Sequence, residues 1–111
     1  MGAVMFDPGR LSARLDLEMP EGVSDGQGGV LTGFAPVTAL WALVEPVSVR
    51  EEDRADAAVF AITHHITIRF RDDLSAGMRF RKGDRTFAIL AFHDPDGTRR
   101  YLICRCREEG R

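Results

Sequence analysis

Long apolar runs, paired cysteines and an excess of either charge are all missing from this chain of 111 residues. No stretch approaches the roughly 20 apolar residues a helix needs to cross a bilayer. The opening Met1-Gly-Ala-Val-Met-Phe-Asp also lacks the basic and long apolar regions of a secretory signal, so neither a membrane span nor secretion is expected. Two cysteines, Cys104 and Cys106, cannot build a disulfide framework, which points to a reducing cytoplasm. A formal charge of −2 leaves no general drive towards phosphate, because sequence-independent nucleic-acid affinity comes from an excess of cations. Lysine is nearly absent: Lys82 stands alone among 15 basic residues, from genome composition or because arginine suits bidentate contacts.

The groups that would carry catalysis are equally sparse. None of Ser12, Ser24, Ser48 or Ser75 stands in a Gly-x-Ser-x-Gly turn, and no glycine-rich loop leads into Lys-Ser or Lys-Thr. Gly26-Gln27-Gly28-Gly29 lacks the strand-then-helix setting that aims N–H groups at a phosphate, and reads as flexible loop. His64 and His65 are neighbours in an alternating run, so they point to opposite faces and cannot converge on one atom. Cys104 and Cys106 share a face about 7 Å apart. With only three histidines to add, they have no zinc-site spacing and read as core thiols. Asp72-Asp73 and Asp94 to Asp96 sit where aspartate favours turns. Neither enzyme activity nor a metal or other cofactor is expected.

What remains is a pattern of short strands in one domain spanning residues 1–111, for which a radius of gyration of about 13 Å is expected. Leu11 to Met19 alternates strictly between apolar and polar residues, a strand with one buried face that Pro20 ends. Residues 20–36, with five glycines between Gly22 and Gly33, read as a flexible loop or a long hairpin tip. Val37 to Val44 is apolar enough for a strand buried on both faces, stopped by Pro46. His64 to Arg71, Met78 to Arg81, Thr86 to Phe92 and Tyr101 to Arg107 complete six strands, separated by turns such as Asp94-Pro95-Asp96-Gly97. The fold class is mainly β: a small six-stranded antiparallel barrel or sandwich. Residues 47–63 form a long insertion between strands two and three. There Ala55, Ala58, Val59 and Ile62 follow helical spacing behind Glu51-Glu52-Asp53, so a short amphipathic helix competes with an extended loop.

One surface feature stands out. Arg69 and Arg71 on one strand and Arg79 and Arg81 on the next share the outward phase, and hairpin pairing would crowd them into a ridge. Like charges opposite each other on paired strands are destabilising, so such a ridge calls for anions. The acidic segment Glu51, Glu52, Asp53 and Asp56, with Arg54 inside it, is the obvious complement within a chain or between copies. Phe70 and Phe80 fall in the inward phase, against an outward stacking platform for single strands. Phe6, Phe34 and Trp41 are left as contact residues, with core packing the default for Trp41.

The order of motifs resembles the phage head-tail joining family, the head-closure or "stopper" proteins of siphovirus-like particles. The resemblance runs through Gly9-Arg10-Leu11, Asp25-Gly26-Gln27-Gly28-Gly29, Leu40-Trp41-Ala42, Val44-Glu45-Pro46 and Arg50-Glu51. It continues through His65-Ile66-Thr67-Ile68-Arg69-Phe70-Arg71, Met78-Arg79-Phe80, Gly83, Phe87-Ala88-Ile89 and Leu102-Ile103-Cys104-Arg105-Cys106. It implies a structural β-barrel that is not an enzyme and that assembles as a six-fold ring between a portal-adaptor complex and a tail terminator or tail tube protein. That ring would hold packaged double-stranded DNA, without sequence specificity, until the tail attaches. On this resemblance the channel loop would carry Glu51, Glu52, Asp53, Arg54 and Asp56, and Trp41, Arg69, Arg71, Arg79 and Arg81 would serve subunit or partner contacts. The protein would be made in a host cytoplasm and end in the neck of a phage, prophage or gene transfer agent particle. An adaptor or tail terminator of the same particle, and a free-standing nucleic-acid-binding barrel, are the alternatives.

Overall fold

The structure is a computed structural model and describes residues 7–24, 30–47 and 62–109. Six strands follow one another: β1 (Ala13–Ser24), β2 (Val30–Pro46), β3 (His64–Arg69), β4 (Arg79–Lys82), β5 (Arg85–His93) and β6 (Tyr101–Glu109). They close in the order β1-β2-β3-β6-β5-β4, every neighbouring pair antiparallel. Of the six-stranded antiparallel barrel or sandwich expected from the alternating pattern, the barrel is what forms, and closure removes the open sheet edges around its wall.

The alternation decides what fills it. Leu15 and Leu17 from β1, Ile66 and Ile68 from β3, Phe80 from β4, Phe87 and Ile89 from β5 and Leu102, Cys104 and Cys106 from β6 all point inward and are buried. Burying each of the large apolar side chains stabilises the barrel by about 1.5–3 kcal/mol. The Asp94 turn is held by its own carboxylate: Oδ1 accepts from the N–H groups of Asp96 and Gly97, at 3.3 and 2.9 Å, and Oδ2 from that of Arg99 at 2.8 Å. The left-handed backbone of Gly97 (φ 73°) completes the bend.

Three expectations need correction. Over residues 20–36 the long hairpin forms and the flexible loop does not: Pro20 does not end the first strand, and β1 runs on to Ser24, paired with Phe34 to Val30. β4 pairs with β1 only from Asp16 to Glu18, so Pro20 lies past the end of that pairing and interrupts no β1–β4 ladder. The resulting ribbon stretches the molecule to 55 × 31 × 25 Å and its radius of gyration to 15.4 Å, above the expected value. Residues 25–29 lie outside the described residues.

Second, β2 is not buried on both faces. Ala42 is buried and Leu40 and Val44 pack on the core, whereas Ala39 and Trp41 are exposed. A small closed barrel has one inside, so the other phase of β2 turns outward, where among the described residues Pro8 and Leu11 of the N-terminal segment lie beside Trp41 and leave it half exposed. Third, β3 and β4 are not neighbours. β3 pairs with β2 and β6, and β4 with β1 and β5, so they stand on opposite walls of the barrel. β3 also ends at Arg69, leaving Arg71 in the connection. Residues 48–61, with the expected helix, are outside the described residues.

Candidate functional site

The arginine ridge is thus split in two. On the β1–β4 wall, Glu18 is only 7% exposed and takes both cations of its half: Arg79 Nε lies 2.7 Å from Glu18 Oε1 and Arg81 Nη1 3.6 Å from Oε2. Register explains this, since Glu18 pairs with Arg79 and Asp16 with Arg81. The Arg79 guanidinium also covers the Phe34 ring, 3.7 Å from its centroid. This half of the ridge shares one carboxylate within the chain, from a residue the sequence reading did not single out. Its signal was the acidic outward phase of the first strand.

The other half builds a surface. Trp41 is 52% exposed on β2, and Arg14, its direct partner on β1, places its guanidinium 5.0 Å from the indole centroid. A cavity of about 260 Å³ opens beside Trp41, lined by Arg14, Ala39, Leu40, Arg69, Phe70 and Arg71. A second, of about 230 Å³, lies between Trp41, Arg69, Pro8 and Leu11. Trp41 and Arg69 therefore form the wall shared by two hollows. Arg71 at the rim is engaged by Asp73, which accepts from its Nε and Nη2 at 2.9 and 2.7 Å. That bond pulls the Asp73 carboxyl below its usual range and raises the arginine. Arg99 lies over Phe70 at 5.1 Å.

Core packing is not the role of Trp41: its odd phase on β2 turns it outward. The structure brings Trp41, Arg69 and Arg71 together and leaves Arg79 and Arg81 across the barrel. Glu51, Glu52, Asp53, Arg54 and Asp56 lie outside the described residues. Arg14 belongs to the surface and was missed, because cross-strand pairing with Trp41 is a matter of register. An aromatic side chain flanked by arginines is the composition that anchors protein contacts.

The remaining reactive groups are tied into the fold. Both thiols are buried: burial pushes Cys104 up to about 12, and Cys106, beside it, is raised as well. His64 packs edge-on against Phe87, and burial holds its pKa below the ordinary value. Among the described residues no three His, Cys, Asp or Glu side chains gather as a metal site.

A closed six-stranded barrel with an outward tryptophan among arginines and both thiols inside is the class of small β module that the described residues define. The comparisons give that class its family. The chain belongs to the phage head completion protein family, whose profile matches residues 6–109. Its fold is similar to a Shigella flexneri 2a protein known from a solution structure, with a TM-score of 0.73 and 30% identity over 93% of this chain and 96% of that one. It is also similar to a chain in the virion of a native gene transfer agent particle, with a TM-score of 0.65 and 29% identity over 89% of this chain and 94% of that one. Among curated proteins none matches significantly.

Proposed function

We propose that this chain is a non-enzymatic head-closure component of a phage-like particle. It forms a ring, six-fold by the resemblance, between portal-adaptor complex and tail, retains packaged double-stranded DNA and lets it pass at ejection. The observation that carries the reading is the outward Trp41 among arginines, on a barrel of the head completion family. Likeness to a chain of a gene transfer agent virion supports a place in the particle neck, reached after assembly in a host cytoplasm.

The insertion over residues 47–63 leaves and re-enters the barrel at one end, where Val47 N–H donates to the Thr63 carbonyl at 2.9 Å and Glu108 N–H to Thr63 Oγ1 at 2.7 Å. In this reading Glu51, Glu52, Asp53, Arg54 and Asp56 face the channel. Carboxylates there repel phosphate and let DNA slide, where an arginine lining would hold it.

Electron microscopy of the particle neck tests this. The expected result is a closed ring of this chain beneath the portal. A chain absent from the particle, or found at the distal tail end, overturns it. Salt-dependent DNA affinity of the isolated chain would favour a free-standing nucleic-acid-binding barrel instead.

A further inference from the structure

The three large apolar side chains exposed among the described residues, Met19, Phe34 and Trp41, all lie on the β1–β2 hairpin. Phe34 is covered by Arg79. Met19 stands 47% exposed on the opposite face of the ribbon, since it pairs with Ala35 while its neighbour Pro20 pairs with Phe34. Glu21, two residues on, shares its face, and their partners across the ribbon are only Ala35 and Gly33. A Cβ added at Gly33 would meet nothing within 4 Å. The ribbon thus presents a thioether and a carboxylate on one face, directly across from the small residues Ala35 and Gly33.

The groove beside Trp41 is its chemical complement, with apolar walls from Trp41, Leu40 and Phe70 and cations from Arg14 and Arg69. Among the described residues neither Arg14 nor Arg69 has a carboxylate partner, and Glu21 has no cation. The two surfaces cannot meet within one chain. Met19 lies opposite Ala35, and β2 runs unbroken from there to Trp41, which separates them by about 20 Å along the strand.

We propose that the Met19–Glu21 face of one copy docks in the Trp41–Arg69 groove of the next, the thioether against the indole and the carboxylate against Arg69 and Arg14. Sulfur–aromatic contact and charge-assisted hydrogen bonds supply the attraction. Knob and socket are different surfaces, so the contact is heterologous and repeats head to tail, as a ring requires. The inference rests on the ring reading above and adds which surfaces touch.

The test uses particles assembled with the full-length variant in place of the wild-type chain. With Glu21→Cys and Arg69→Cys in one chain, mild oxidation is expected to give a ladder of multiples on a non-reducing gel, and either single variant none. In parallel, Glu21→Arg and Arg69→Glu are each expected to lower incorporation by about tenfold or more, the effect of losing a close charge pair. Supplying the two variants together restores it, because each offers the partner the other needs. Particles that contain the double-cysteine chain only as monomers, or that take up Arg69→Glu as well as wild type, overturn the docking while leaving the head-closure role intact. Particles that lack even the wild-type chain overturn both. Gly33→Trp keeps the result independent of charge: the fold has room for it, unchanged thermal melting checks this, and a docked neighbour does not.

Discussion

Phe34 and Trp41, seven residues apart on β2, look out from the same side of the sheet, although an odd spacing puts two residues on opposite faces of a regular strand. The pairing of β1 with β2 explains it. Leu17 pairs with Thr38 but Glu18 with Pro36, so Val37 is an extra residue that reverses the phase of everything before it. Without that bulge Phe34 would face away from Arg79, and the outer wall of the hairpin would lose its second aromatic ring.

Glu18 is the hinge of that wall. Glu18→Gln leaves Arg79 and Arg81 facing each other's charge without a counter-ion, in a site where the carboxylate is nearly buried. Removing one partner of such a group is expected to cost about 1–3 kcal/mol. Urea unfolding of the variant and of wild type measures this, with the midpoint falling and the slope unchanged. Arg81→Gln, on the longer and more exposed contact, is expected to cost less than about 1 kcal/mol.

Trp41 is the chain's only tryptophan, so its fluorescence reports on the groove alone. Half exposed, it is expected to be quenched readily by acrylamide in the isolated chain and protected once a partner covers it. Trp41→Ala is expected to cost about 0.5–1 kcal/mol, the worth of an exposed cation–π contact such as the one with Arg14, while reducing incorporation into particles far more. A thermal melt beside an incorporation assay separates the two effects.

The thiols of Cys104 and Cys106 are expected to be inert in the native chain, because burial raises both pKa values and only the thiolate reacts. Labelling with a thiol reagent at neutral pH should proceed only as fast as the barrel opens, and both should label at once in denaturant. Rapid labelling of folded protein would contradict their place inside the barrel.

His64 sets a pH dependence. Burial lowers its pKa in the fold, with Glu108 opposing and Arg85 reinforcing the shift, and Thr63 Oγ1 lies 2.8 Å from its Nδ1. A lowered folded pKa means that the unfolded chain binds more protons between the two values, so stability rises with pH there. The contribution is complete above the unfolded value of 6.5 and is lost as pH falls from there through the folded pKa. Urea midpoints from about pH 8 to about pH 5 check this, and His64→Gln should remove the part of the slope that begins below neutrality.

Much of the barrel was legible in the order of residues. Period-two alternation in Leu11 to Met19, His64 to Phe70 and Tyr101 to Arg107 specifies which side chains share the inward phase, although the ribbon carries Met19 past the barrel and leaves it exposed. Turn chemistry at Asp94-Pro95-Asp96-Gly97 specifies where the chain reverses, because these effects act over a few neighbouring residues. Tertiary structure alone decided which strands stand side by side. That choice put β3 and β4 on opposite walls, gave Arg79 and Arg81 to Glu18, turned Pro20 into an edge residue of a long ribbon and set Arg14 over Trp41. Pairing and register depend on how the whole sheet closes around its core, and a single inserted residue at Val37 is enough to reverse which face an aromatic ring presents.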